Sequence, residues 1–195
     1  MNKNLRILIV LGVQALIVAA LVLGSQMLTA RKNANTPPET YVYKNIYFEY
    51  PGNWEIKLNE TGQGGELTVT PAQGSPEAKM LGTFYIMFLP EVVFDENWKE
   101  TLANEASCSG KENTQWHQMV EGETFSGFEC VWKAPEDTYP SWEFFLYNEQ
   151  EQTAVSILAF PINDTATDAL KSPESAASSF PGIVEIAESL RVSEQ

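Results

Sequence analysis

The distribution of apolar residues divides the chain into an N-terminal hydrophobic segment and a longer amphipathic part. Residues 7–30 carry no charged side chain, and most of the first 17 of them are aliphatic. About 20 such residues in a helix cross the ~30 Å hydrocarbon core of a membrane. A cleaved signal peptide, with the cut after Gly24, is the alternative. The pattern favours a short tail (1–6), an uncut transmembrane signal anchor (7–30) and a polar linker (31–40).

Residues 41–195 show the patterns of β-strands in most places and of helices in a few. Aromatic and β-branched residues, or strict alternation of apolar and polar residues, mark the strands. The predicted strands cover residues 41–43, 46–50, 54–58, 66–70, 80–89, 115–120, 127–133, 141–147 and 153–160. These segments do not alternate regularly with helices, which argues against a parallel doubly wound sheet.

Helical periodicity is convincing in two places. Asp95 can cap a helix over residues 95–106, and Pro181 suits the first position of a C-terminal helix. A shorter helix fits residues 165–170. The predicted fold class of residues 41–195 is therefore α+β, an antiparallel sheet of about six to eight strands covered by helices.

The charge of the chain is concentrated beyond the linker. All 26 acidic residues lie after residue 38, against eight basic ones there, so this part carries a net charge of −18. Such a surface is repelled by nucleic acid and by the anionic cytoplasmic leaflet of a membrane. We therefore expect no nucleic-acid partner, and a single-pass protein of the bacterial cytoplasmic (inner) membrane with its C-terminal domain outside the cytoplasm.

The two cysteines, Cys108 and Cys130, fit an exported domain. An even count outside the cytosol predicts a disulfide, while two free buried thiols are the alternative. Their spacing of 22 residues is not that of a metal site, which would use close Cys pairs or histidines.

No residue pattern predicts catalysis, a cofactor or a metal. The single histidine, His117, lies in a strand-like run without a nucleophile motif, and the glycines of residues 62–65 lead into a strand as a hairpin loop would. Residues 163–168 have acidic side chains, but Ala166 and Ala169 break the spacing of a calcium loop. We predict that the protein is not an enzyme and has no catalytic, cofactor-binding or metal-binding residue.

The stretch YFEYPGNWEI, residues 47–56, joins two strand-like runs through a turn. Pro51 and Gly52 fit the central positions of a type II turn, and Trp54 can fold back over the preceding aromatic strand. The C-terminal stretch FPGIVEIAESLRV, residues 180–192, forms an apolar helical stripe that ends in Ser189-Leu190.

These two stretches resemble the beginning and the end of the PsbP-like domains. That family includes the extrinsic photosystem II protein, the periplasmic DcrB-type lipoproteins and a Ran-binding nuclear import factor. The resemblance covers residues 41–193 and implies an αβα sandwich that acts in binding or assembly, without catalysis. This chain departs from the photosynthetic members because its predicted anchor and its acidic surface replace a released domain with a basic surface, so no functional residue is carried over.

The sequence thus favours a membrane-anchored extracytoplasmic binding or assembly module of the bacterial envelope, with an envelope protein as its partner. Two other functions remain open. An envelope hydrolase would use acidic residues, and a raised carboxyl pKa in a cleft would favour it. A carrier would hold a small apolar ligand between the sheet and a helix.

Overall fold

The computed structural model describes residues 36–61, 64–92, 114–133 and 136–193. The chain divides into two compact units, residues 1–36 and residues 37–195, and the description below concerns the second. The predicted anchor over residues 7–30 and the predicted helix over residues 95–106 lie outside the described residues. Within the described ranges, no helix combines the length and the apolarity needed to cross a membrane.

A seven-stranded antiparallel sheet forms the centre of this unit. Its spatial order is β3-β4-β5-β9-β8-β7-β6, and neighbouring strands are joined mostly as hairpins. The strands are β3 (Glu55–Thr61), β4 (Gly64–Thr70), β5 (Phe84–Leu89), β6 (Thr114–Glu121), β7 (Ser126–Trp132), β8 (Ser141–Asn148) and β9 (Thr153–Ala159). The α+β class with a mainly antiparallel sheet, predicted from the sequence, is confirmed.

A second, three-stranded sheet joins the two ends of the unit. Strand β2 (Ile46–Pro51) pairs with β1 (Pro38–Tyr43) on one side and with the short β10 (Arg191–Val192) on the other, all antiparallel. Strand β1 begins inside the stretch that the sequence predicts as linker. Pro38 suits this place because a proline at the first residue of a strand removes no hydrogen bond from the interior of the sheet.

The described residues contain four helices: α1 (Pro76–Met80), α2 (Asp164–Ala169), α3 (Pro173–Ser179) and α4 (Pro181–Ser189). Three of them have side-chain caps, from Ser75, Asn163 and Ser172. Helix α4 instead receives the carboxylate of Glu77, whose Oε1 accepts a hydrogen bond from the amide of Gly182 at 3.1 Å. A carboxylate at a helix N-terminus satisfies an amide that has no partner within the helix. The predicted C-terminal helix is confirmed, and so is the short helix after Asn163.

Helices α2, α3 and α4 pack on one face of the seven-stranded sheet and build the main core. Phe180, Ile183 and Ile186 are fully buried there with sheet residues such as Phe84 and Trp142. The opposite face also carries buried side chains, in a smaller cluster of Phe128, Cys130, Tyr147 and Ala154. Strands buried on both faces explain the nearly continuous apolar runs of β7, β8 and β9.

The turn after β2 differs from the type II turn that the sequence predicts. Trp54 N donates to Pro51 O at 2.9 Å, so the central residues are Gly52 and Asn53, one position later than predicted. Gly52 is not among the described residues with positive φ. The turn moves because Pro51 still belongs to β2, where it pairs with Pro38.

The prediction of one long strand over residues 80–89 is wrong in its first part. Helix α1 extends to Met80, and Gly82 adopts φ +65° before β5 begins at Phe84. The apolar composition of residues 80–89 suggested one continuous strand, although Ser75 followed by Pro76 is a signal for the start of a helix. Neither helix α3 nor strand β10 was predicted from the sequence.

Candidate functional site

A groove lies where the β6–β7 hairpin meets helices α3 and α4. Its deeper part encloses about 530 Å³, within the roughly 300–1,000 Å³ typical of ligand pockets. A shallower part of about 390 Å³ shares Ala177, Val184 and Glu188 with it and runs along α4 to Arg191. The deeper part is lined by residues 118–123 of β6 and the hairpin turn, and by Glu129, Phe144, Ala177, Val184 and Glu188. We call the two parts together the hairpin–helix groove.

The strand register decides which side chains of the hairpin face the helices. Gln118 pairs with Glu129, and Val120, which packs against the main core, pairs with Gly127. Because side chains alternate along a strand, Gln118 and Glu129 lie on this same face. The hairpin closes through a hydrogen bond from Gly122 N to Phe125 O at 2.8 Å. The groove therefore has a wall made by β6 and β7 that carries one buried carboxylate.

That carboxylate belongs to Glu129, which is only 4% exposed. Its Oε1 accepts a hydrogen bond from Trp142 Nε1 at 2.8 Å, and its Oε2 accepts one from Gln118 Nε2. Burial raises the pKa of Glu129, while these two hydrogen bonds act in the opposite direction and lower it. Both carboxylate oxygens are thus held by donors from the neighbouring strands β6 and β8.

Negative charge dominates the lining of the groove. Besides Glu129, the deeper part contains Glu121, Glu123 and Glu188, and the shallower part adds Glu185. Burial raises the pKa of Glu185, and the nearby charge of Glu49 raises it further.

The lining combines this charge with an apolar surface. The basic residue in the lining of the groove is Arg191, and its Nε is 2.9 Å from Glu123 Oε2. Val120, Phe144, Ala177 and Val184 supply apolar surface between the carboxylates. A cation attached to an apolar body would match both properties of this lining.

His117 does not belong to the groove. Side chains alternate along β6, so His117 lies on the face opposite to Gln118 and pairs with Cys130 of β7. It is exposed. The arrangement therefore separates the one imidazole of the chain from the buried carboxylate of Glu129.

Of the two cysteines, Cys130 alone lies within the described residues. Cys130 is fully buried on β7, in the smaller cluster on the face opposite to α3 and α4. Cys108 lies outside the described residues, so the Cys108–Cys130 disulfide stays a prediction.

The other sites weighed in the sequence have structural roles. Gly64 of β4 pairs with Thr61 of β3, which confirms a hairpin at the glycine cluster. Asn163 caps α2, because its Oδ1 accepts a hydrogen bond from Ala166 N at 2.9 Å. The described residues contain no group of three or more potential metal ligands. The absence of a cofactor stays a prediction.

Sequence reasoning missed Glu129 as a residue of interest. The available signal was its position in an otherwise apolar strand, where Gly127 and Val131 on the same face are both buried. An inward-facing charge between two buried positions is unusual, since burying an unpaired carboxylate costs several kcal/mol. Its partners Gln118 and Trp142 could not be assigned without knowing the strand order.

The chain matches no protein-family model, and none of the curated proteins shows significant similarity to it.

Proposed function

We propose that residues 41–195 form a non-catalytic binding module and that the hairpin–helix groove is its binding site. The groove carries this proposal, because it combines ligand-sized volume, apolar surface and a lining in which glutamates outnumber arginine five to one. Binding sites commonly combine a mainly apolar lining with a few fixed polar groups. Glu185 and Glu188 supply such groups on α4.

A hydrolase is the second candidate, favoured by the raised pKa of Glu129 in a cleft. The hydrogen bonds around this carboxylate argue for the binding module instead. A general acid or base must reach the substrate, whereas both oxygens of Glu129 are engaged by Trp142 and Gln118. The apolar-ligand carrier fits the position of the groove between sheet and helices but leaves its many carboxylates without a role.

We further propose that the domain is an αβα sandwich of the PsbP-like type. It would lie outside the cytoplasm of a bacterial cell, with residues 7–30 as its anchor in the membrane. The antiparallel sheet, with α2, α3 and α4 on one face and a second buried cluster on the other, supports this arrangement. The acidity of the chain beyond residue 38 supports the same location. The partner would be another protein of the envelope.

Location and disulfide can be tested together on the full-length protein in a bacterial host. We expect it to stay in the membrane fraction after an alkaline carbonate wash. Because a bridge between Cys108 and Cys130 forms and persists in an oxidising compartment, we expect that no thiol of the denatured protein reacts with a polyethylene-glycol maleimide until a reductant is added, and that two react afterwards. A soluble, shortened protein would contradict the anchor, and two reactive thiols in the denatured, unreduced protein would contradict the bridge.

The binding site can be tested by site-specific photocrosslinking in cells. Ala177 is exposed and lines both parts of the groove, while its exposed neighbour Ser178 is not among the lining residues. We expect a benzophenone side chain at residue 177 to yield one discrete adduct, and the same group at residue 178 to yield little or none. Equal adducts from both positions, or none from either, would contradict the groove as the binding site.

A further inference from the structure

The carboxylates in the lining of the hairpin–helix groove indicate the charge of the ligand that it binds. Carboxylates surround the groove on three elements: Glu121 and Glu123 at the end of the hairpin, Glu129 on β7, and Glu185 and Glu188 on α4. Arg191, the basic residue of this lining, is already paired with Glu123. Burial raises the pKa of Glu185, and the nearby charge of Glu49 raises it further. A cation placed here gains attraction and removes repulsion.

The shape of the groove favours an extended occupant over a compact one. The deeper and the shallower part share residues on α3 and α4, so together they follow α4 from the hairpin to Arg191. Val120, Phe144 and Val184 provide apolar surface within the deeper part. An occupant that covers both parts needs several cationic groups separated by apolar ones, which a peptide chain supplies readily.

We propose that the hairpin–helix groove binds a lysine- or arginine-bearing segment of a partner protein, in which basic and apolar side chains alternate. The basic side chains lie against the carboxylates of α4 and the hairpin, and the apolar ones lie against Val120, Phe144 and Val184. This inference rests on the proposed binding function and adds the chemical class of the partner. The net charge of −18 beyond residue 38 acts in the same direction, since it attracts basic segments and repels acidic ones.

Fluorescent eight-residue peptides provide the test, with the full-length protein held in nanodiscs of neutral phosphatidylcholine. The three probes are acetyl-(Lys-Val)4-amide and its counterparts with glutamine or glutamate in place of lysine. We expect the lysine peptide to bind at least about tenfold more tightly than the glutamine peptide, and the glutamate peptide to show no binding. Affinity for the lysine peptide is expected to fall with added salt, because screening weakens contacts between exposed charges.

A matched pair of variants separates the groove from the general acidity of the surface. Glu185→Gln/Glu188→Gln removes two charges from α4, and Glu136→Gln/Asp137→Asn removes two exposed charges that do not line the groove. We expect the first variant to weaken binding of the lysine peptide about tenfold and the second to change it less than twofold. Equal losses in both variants would overturn the inference and show non-specific attraction.

Two further outcomes separate this inference from the proposed function. Equal affinities for the lysine and glutamine peptides, both lost when Val184 is replaced by aspartate, would leave a binding groove but overturn its basic specificity. Equal affinity of hexylammonium and the lysine peptide would replace the protein segment by a small cation. If no peptide binds, the inference is overturned, while the photocrosslinking at residue 177 still decides whether the groove binds a partner at all.

Discussion

Trp54→Ala is expected to lower the free energy of unfolding by about 3–5 kcal/mol, the usual loss when a buried tryptophan is truncated. Trp54 is 7% exposed and packs edge-on against Phe84 with ring centroids 5.7 Å apart. The loss is a large share of the ~5–15 kcal/mol that stabilises a typical domain. Chemical denaturation of the variant, followed by circular dichroism, measures it.

The contact between Trp54 and helix α4 makes this prediction more specific. A Cβ atom added at Gly182 would lie 2.6 Å from two carbons of the Trp54 ring, too close for any side chain. Gly182→Ala is therefore expected to destabilise the native protein. In the Trp54→Ala background the ring is gone, and the same change is expected to cost clearly less, because the nearest remaining atom is Pro51 Cγ at 3.2 Å and alanine is favoured over glycine in a helix by about 1 kcal/mol. Additive effects of the two changes would contradict the contact.

Phe160→Ala is the control for Trp54→Ala. Phe160 is 40% exposed, so its truncation is expected to cost clearly less than that of Trp54. Binding of the lysine peptide to Trp54→Ala should fall only under conditions in which the variant unfolds, because Trp54 does not line the groove. A normal unfolding transition combined with lost binding would instead identify Trp54 as a contact residue.

Local sequence signals predicted most of the elements, because each signal reports a local physical constraint. Alternation in residues 54–58 predicted β3, and Pro181 with its apolar stripe predicted α4, since pleat and helix periodicity depend on nearby residues. The same reasoning failed where a residue distant in the sequence determines the local structure. Pro51 stays in β2 because of its pairing with Pro38, and this pairing displaced the predicted turn.

The candidate site was harder to predict from the sequence than the strands and helices, because its residues are far apart along the chain. The groove brings together a hairpin around residue 122 and helices after residue 173, and only the fold places them side by side. Composition showed that the surface would be acidic. It could not show that Glu188 shares one groove with Glu129, because strand order and helix placement determine that neighbourhood.

Glu129→Ala is expected to destabilise the protein by about 1–3 kcal/mol, the range for a buried donor left without its partner. The Trp142 side chain is 1% exposed, and its indole N–H would lose the acceptor that Glu129 provides at 2.8 Å. Glu129→Gln is the matched variant. Its amide oxygen can accept from Trp142, and Gln118 can rotate its own amide to accept from the new NH₂ group, so a smaller loss is expected.

The pH dependence of stability distinguishes these variants further. Burial raises the pKa of Glu129 above that of the unfolded chain, about 4.3 for glutamate, so the folded state binds this proton more tightly. The stabilisation from that proton is complete below about pH 4 and is lost as the pH rises through the raised pKa of the folded state. Native protein is therefore expected to lose stability relative to Glu129→Gln as the pH increases from 4 towards neutral.

Denaturant titrations of both proteins across this pH range measure the difference directly. The pKa of Glu129 would not be raised if the difference in free energy of unfolding between the two proteins stayed constant with pH. The same conclusion would follow if that difference grew in favour of the native protein as the pH rose. Bound lysine peptide is expected to reduce the pH dependence, because a cation near the groove favours the ionised form of Glu129. The ionised form of Glu129 would then lower the stability of the domain when the groove is empty, and would do so less when a basic segment is bound. Binding of the partner would therefore stabilise the domain.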